Sequence, residues 1–239
     1  TYRQPEAFEA GISGSLMGVS AYLGTNSGKF SQLHGLRFKK NNSLLSSLET
    51  KGEYDPQYFD YQTNIIWTPS KRFSVNFLGN ISLNHYNFKP TDRETSFGTS
   101  SDAKQFKVYF DGEEKDKFET YLGALNLNYR LSKATDFTLG LSGFLTNELV
   151  SYDISGEYWL DQAGTSGGNG GSAIGGELGV GKYMEHSRNR LKASVFMATL
   201  KGNTVIKNNH LSYGILLQSE KFYDRTREWE WRDSAGYSL

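Results

Sequence analysis

The chain has 239 residues, 37% hydrophobic and 22% charged, with a formal net charge of +0, a balance that gives no global attraction to nucleic acid or to anionic lipid. It contains no cysteine, which excludes a disulfide framework and any thiolate metal site. No window approaches the roughly 18 to 20 consecutive apolar residues of a membrane-spanning helix, whereas 26 glycines against 4 prolines, and 15 tyrosines with 15 phenylalanines, suit large antiparallel sheets and their interfacial aromatic girdles.

In chain order, the opening Thr1-Tyr2-Arg3-Gln4-Pro5 carries no apolar leader pattern, as expected of a mature chain or an internal piece. Residues 8–23 read either as one long strand or as two short ones broken near Leu16-Met17-Gly18. A short polar turn follows at 25–28 and a long polar connection at 41–57. Phe59, Tyr61, Thr63, Ile65 and Trp67 then alternate with Asp60, Gln62, Asn64 and Thr68. After the turn at 69–72, Phe73, Val75, Phe77, Gly79, Ile81 and Leu83 alternate with Ser74, Asn76, Asn80, Ser82 and Asn84. Period-2 alternation of this kind gives a strand one apolar and one wet face.

A long connection is expected at 89–117. A second hairpin follows, with Tyr121, Leu125, Leu127 and Tyr129 before the turn at 132–135 and Phe137, Leu139, Leu141 and Leu145 after it. Beyond another long connection at 151–182, a third hairpin pairs Leu191, Ala193, Val195 and Met197 with Leu211, Tyr213, Ile215 and Leu217 across a turn at 207–209. Phe196 and Leu200 blur its alternation. A last long connection begins near Phe222, and the end, Asp233-Ser-Ala-Gly-Tyr-Ser-Leu239, reads as a polar loop.

Short turns at one end of the strands and long loops at the other are the signature of an outer-membrane β-barrel. If the chain enters from the short-turn side, the break near Gly18 holds, giving about nine strands rather than eight. Bacterial barrels usually finish in an amphipathic strand with a terminal aromatic, so this chain is expected to be an internal part of a larger barrel. The fold class expected is therefore all-β, a partial transmembrane antiparallel barrel with long extracellular loops, and residues 1–239 form part of one barrel domain.

No catalytic, cofactor or metal site is expected. The carboxylates Asp111, Glu113, Glu114 and Asp116, and likewise Asp92, Glu94 and Asp102, are interleaved with Lys115, Lys117 and Arg93 and read as solvated, self-neutralising loops. His34, His85, His186 and His210 are too dispersed for a short metal-binding spacing. The Gly-rich run at 164–176 has no lysine of the phosphate-cradling kind and reads as a loop tip. Candidate ligand or partner contacts are the aromatics assigned to loops: Tyr54, Tyr58, Phe97, Tyr109, Phe110, Tyr158, Trp159, Trp229 and Trp231, whose faces suit sugars, siderophores or a protein partner. Arg225, Arg227 and Arg232 are placed for cation–π contact with the last two tryptophans.

Several segments together carry a family resemblance: Leu48-Glu-Thr-Lys-Gly-Glu-Tyr-Asp-Pro56 with Phe59-Asp-Tyr-Gln62, Asn84-His-Tyr-Asn-Phe88, Phe106-Lys-Val-Tyr-Phe-Asp-Gly112, Tyr152-Asp-Ile-Ser-Gly-Glu-Tyr-Trp159, Glu185-His-Ser-Arg-Asn-Arg190 and Arg232-Asp-Ser-Ala-Gly-Tyr-Ser238. Over almost its whole length the chain resembles the barrel of TonB-dependent outer-membrane receptors of the Bacteroidota type, which carry a carboxypeptidase-like domain near the N-terminus. The resemblance implies a plugged barrel of about 22 strands in the outer membrane of a Gram-negative bacterium, with uptake of a scarce ligand energised by TonB. The plug, the TonB-contacting segment and the later strands have no counterpart in these residues. The partners implied are outer-membrane lipid, TonB through the plug, and a surface lipoprotein lid or a larger outer-membrane complex. Two other readings remain open: a receptor-like barrel acting as a docking subunit, and a small closed barrel acting as an adhesin.

Overall fold

The computed structural model describes residues 3–40, 52–99, 102–162, 177–234 and 237–238. Twelve strands form one sheet: β1 (Glu9–Ser15), β2 (Gly18–Asn26), β3 (Phe30–Lys40), β4 (Gly52–Ser70), β5 (Phe73–Pro90), β6 (Arg93–Thr99), β7 (Asp102–Arg130), β8 (Thr135–Gln162), β9 (Glu177–Ile206), β10 (Asn209–Arg225), β11 (Glu228–Ser234) and β12 (Tyr237–Ser238). Every pairing is antiparallel, and the strands lie in chain order, with β6 on β7 beyond β5 and β11 on β9 beyond β10. The edges β1 and β10 do not pair with each other, so the described sheet is open. The break at Leu16-Met17 is real: β1 and β2 are separate strands in a hairpin from Glu9 with Gly24 to Ser15 with Gly18.

Two of the twelve strands continue a neighbour. Arg225 pairs with Arg190 and Glu228 with Ser187, so the two residues between β10 and β11 are matched by two on β9 and the register is unchanged. There the Asn189 side chain accepts a hydrogen bond from Arg227 N at 3.1 Å, supplying what the ladder lacks. Between β5 and β6 the register does shift. Phe88 pairs with Glu114 but Arg93 with Val108, so four residues oppose five of β7. The extra residue lies beside Gly112, whose φ of 103 suits a bulge that only glycine adopts freely.

The short turns expected from the sequence form one end of the sheet, between β2 and β3, β4 and β5, β7 and β8, and β9 and β10. The segments expected as long connections are corrected. Most of 89–117 and the described parts of 151–182 belong to strands, and β7 and β8 pair without a register shift from Lys104 with Gln162 to Arg130 with Asp136. The chain after Phe222 likewise continues in β10 and β11. The Gly-rich run at 164–176 lies outside the described residues.

Alternation sorts the side chains onto two faces. One is apolar over a band nearest the short turns: Phe59 to Trp67 on β4, Phe73 to Leu83 on β5, Tyr121 to Tyr129 on β7, Phe137 to Leu145 on β8, Phe196 to Leu200 on β9 and Leu211 to Leu217 on β10, every second residue in each case, with Thr63, hydrogen-bonded to His34, the polar exception. Aromatics border it. Near the short turns Tyr213 opposes Gly202, Gly202 opposes Phe137, Phe137 opposes Tyr129, and Tyr129 opposes Phe73. A Cβ on Gly202 would come within 2.5 Å of the Tyr213 ring, which covers that glycine and meets Phe137 edge-on at 6.3 Å. Phe38, Phe59, Tyr61 and Tyr121 mark the other border.

The opposite face carries Asn76, Asn80, Ser82, Asn126, Asn128, Thr138 and Asn203, cross-linked by hydrogen bonds such as Thr138 Oγ1 to Asn128 Oδ1 at 2.8 Å and Ser82 Oγ to Asp60 Oδ1 at 2.8 Å. Arg37 donates to the same Asp60 carboxylate from the neighbouring strand, at 2.8 Å through Nε. Register corrects the third hairpin. The partners of Leu211, Tyr213, Ile215 and Leu217 are Thr204, Gly202, Leu200 and Ala198, so Leu191, Ala193, Val195 and Met197 lie on the polar face. Residues 195–200 are nearly all apolar, and the tight turn at Lys207 and Asn208 decides which of them face which way.

Among the described residues no second layer covers the apolar face. Among the described residues Ala193, 8% exposed, is the only buried hydrophobic one, while Ile215, Leu217 and Phe196 are 66%, 67% and 53% exposed.

Candidate functional site on the polar face

Beyond the apolar band the long arms carry charge and aromatics on both faces, and strand pairing decides which of them meet. On the polar face one row crosses six strands: Tyr54, Phe88, Glu114, Tyr152, Ser187 and Glu228, each opposite the next. The row beside it holds Tyr86 and Asp116, also directly opposed. Tyr54 packs against Phe88 with ring centroids 4.7 Å apart and against Tyr86 at 6.2 Å. Ser187 is fully buried, and its hydroxyl donates to Glu228 Oε1 at 3.4 Å.

The electrostatics of this patch follow from two carboxylates with no cation between them. Burial pushes the Glu114 carboxyl above its ordinary value, and the neighbouring Asp116 pushes it further. Burial raises Asp116 as well. Its Oδ1 is shielded from solvent and has no hydrogen-bond partner among the described residues. Tyr86 is pushed up to about 12 by burial and by Glu114, and burial also raises Tyr152. The patch therefore holds two partly buried carboxyls, the phenols of Tyr86 and Tyr152, and the ring faces of Tyr54 and Phe88. Such a set donates to and accepts from hydroxyl groups while stacking on apolar ring faces.

Further along the same face Phe110 meets Tyr183 edge-on at 6.4 Å, Phe106 lies 6.2 Å from Tyr158, and Arg93 sits 5.8 Å over the Phe110 ring. Tyr158, Tyr183, Glu185 and Arg232 line a hollow of about 330 Å³.

The nine aromatics expected as loop contacts are corrected to strand residues, and alternation splits them. Tyr54, Tyr58, Phe97, Phe110 and Tyr158 lie on the polar face; Tyr109, Trp159, Trp229 and Trp231 lie on the other. Trp229 stacks on His186 at 5.0 Å, and His186 Nδ1 is 2.5 Å from Asp153 Oδ1. Arg188 also bonds Asp153 and holds its carboxyl below the usual range. The expected cation–π pairs around Trp229 and Trp231 give way to an Arg232–Glu230 ion pair at 3.1 Å.

The acidic stretch of β7 is likewise sorted rather than self-neutralising throughout. Glu113 pairs with Lys115 and Glu119 with Lys117 on one face, while Glu114 and Asp116 are left together on the other. Sequence reasoning missed Tyr86, Tyr152, Ser187 and Glu228. The readable signal was the two-residue spacing of Glu114 and Asp116, which puts both on one face of any strand.

The remaining histidines are held within the sheet or apart from each other. His34 Nδ1 lies 2.9 Å from Tyr61 OH and 3.0 Å from Thr63 Oγ1. Among the described residues no group of three or more His, Asp or Glu is arranged to hold a metal ion. No protein-family model, curated protein or solved structure matches the chain.

Proposed function

We propose that this chain forms part of the wall of a transmembrane β-barrel in a TonB-dependent outer-membrane receptor, with the apolar face toward lipid and the polar face toward the lumen. The observation that carries the reading is the uncovered apolar band. It runs across the sheet at a height of nine residues on β7 and β8, residues 121–129 and 137–145. A tilted strand needs about 9 to 11 residues to cross the hydrocarbon layer. Exposed apolar surface on this scale, bordered by aromatics and backed by a polar face, suits contact with lipid rather than water. The short-turn end would face the periplasm and the long arms the outside.

On this reading the row from Tyr54 to Glu228, at the outer end of the lumen face, contacts the imported ligand. Its carboxyls, phenols and ring faces fit a polyhydroxylated molecule. Uptake would draw on TonB through a plug lying outside these residues.

The chain has no native cysteine, so single-cysteine variants report cleanly on each face. In outer membranes, Leu139→Cys and Leu141→Cys are expected to resist a water-soluble maleimide, and Thr138→Cys and Ser142→Cys to react. Equal labelling of both sets, or recovery of the protein in buffer without detergent, would overturn the membrane reading. Abolition of ligand uptake by deletion of TonB supports the transport reading. Uptake unchanged by that deletion would sink it in favour of a docking subunit.

A further inference from the structure

Immediately above the apolar band, on the same face, β9 and β10 present Arg190, Lys192, Lys221 and Arg225. All four are exposed. Neighbouring cations on that face are matched, Lys117 to Glu119 at 2.6 Å, Lys182 to Glu157 at 2.6 Å and Arg188 to Asp153. Among the described residues these four have no ion-pair partner. Arg190 stands directly opposite Arg225, a like-charge pairing that destabilises a ladder unless an anion offsets it. The carboxylates of β10, Glu220 and Asp224, alternate onto the other face.

A second feature adjoins the cations. Gly123 faces Gly143, Gly143 faces Phe196, and Phe196 faces Ser219, one row below Ser194 and Lys221. The two glycines leave a furrow of about 580 Å³ walled by Phe77, Leu125, Leu141, Phe196 and Leu217. Next to it a depression of about 370 Å³ passes from Leu145 to Lys192, Lys221 and Tyr223. An apolar trough thus leads into a cluster of unmatched cations at the border of the band.

We propose that this is a binding site for a phosphate-bearing membrane lipid, its headgroup held by Arg190, Lys192, Lys221 and Arg225 and an acyl chain lying in the furrow beside Gly123 and Gly143. Charge complementarity selects the headgroup, since guanidinium and ammonium groups are the strong donors to phosphate oxygens. Continuity of furrow and cations selects a lipid over a free anion. The inference rests on the membrane reading above.

The test reconstitutes the whole receptor of which this chain is proposed to form part of the wall, in phosphatidylcholine vesicles with and without a minor fraction of phosphatidylglycerol, then measures flotation and, by native mass spectrometry, the lipids retained. Wild type is expected to retain phosphatidylglycerol preferentially. Each of Arg190→Gln, Lys192→Gln, Lys221→Gln and Arg225→Gln lowers that preference by up to about fivefold. Arg190→Lys with Arg225→Lys keeps most of it, and Lys201→Gln on the polar face leaves it unchanged. A Cβ on Gly123 meets nothing closer than 4.0 Å. Gly123→Leu therefore fills the furrow and lowers retention of both lipids with the cations intact. Equal phosphatidylglycerol retention by wild type and the fourfold Gln variant would overturn the headgroup site, and wild-type retention by Gly123→Leu would overturn the furrow. Failure of wild type to float with either vesicle would overturn the membrane reading as well.

Discussion

The lower and upper halves of the β7–β8 hairpin share one unbroken register, yet their side chains obey different rules. Between Tyr121 and Tyr129 every second residue of β7 is apolar or glycine, and the pattern continues across the turn to Leu145. Above Glu119 the same ladder carries Lys117, Lys115 and Glu113 on that face and Asp116 and Glu114 on the other. Backbone pairing is indifferent to the change because antiparallel hydrogen bonds need only extended chain. On the membrane reading proposed above, the surroundings of the two halves differ while the sheet does not. The lower half carries one apolar and one polar face, the upper half charged residues on both.

The largest effect expected is a charge placed in the lower half. On the proposed membrane reading, Leu141→Arg should destabilise the protein in bilayers by about 2 to 4 kcal/mol, whereas Ser142→Arg, one residue along on the polar face, should cost less than about 0.5 kcal/mol. Chemical unfolding in lipid vesicles measures both, and equal costs would erase the distinction between the faces. The next effect belongs to the upper half alone. Gly112 has a φ of 103, and a Cβ there would come within 1.8 Å of Asp153 O. Gly112→Val should loosen the bulge by about 2 to 3 kcal/mol. It should speed amide exchange in β6 while leaving the band at 121–129 protected.

Acid–base behaviour sharpens the comparison within the upper half. Arg188, with His186 behind it, holds the Asp153 carboxyl below its ordinary value. The stability it contributes is present above the unfolded-state pKa and is lost as pH falls through the depressed folded value. Glu114 and Asp116 are raised by burial, so they favour the fold at low pH and lose that contribution as pH rises through their raised values. Amide exchange of β7–β9 across the acid range should therefore lose its acid-side rise in Asp153→Asn and its rise at higher pH in Glu114→Gln. Identical profiles in both variants would show that the carboxyls are not sorted as described. The smallest effect lies at the opposite end. Lys207 holds a φ of 55 in the two-residue turn between β9 and β10. Lys207→Asn should stabilise the hairpin by about 0.5 kcal/mol, read as a raised unfolding midpoint.

How far the sequence could be read tracks the same division. The hairpins through 59–84 and 120–145 are legible because one wet and one apolar face leave a period of two in the residue types. The arms above them read as loops because polar and charged residues on both faces erase that period, and nothing local distinguishes a polar strand from a polar connection. β9 failed for the opposite reason. Val195 to Leu200 contains apolar residues on both faces, so periodicity could not choose a side, and the turn at Lys207 set the register that turned Phe196 and Leu200 outward. The candidate site was the least legible. Tyr54, Phe88, Glu114, Tyr152, Ser187 and Glu228 come from six strands and are brought into one row by pairings alone.

By itself the sequence determined the all-β class, the places of the short turns and the apolar band, because each rests on interactions within a few residues of chain. Only the tertiary structure decided which aromatics share a face, which carboxylates are left without a cation, and which cations stand opposed. Those are properties of register, and register is set by a turn at one end and expressed along the whole strand, so a local pattern read at the far end does not contain it.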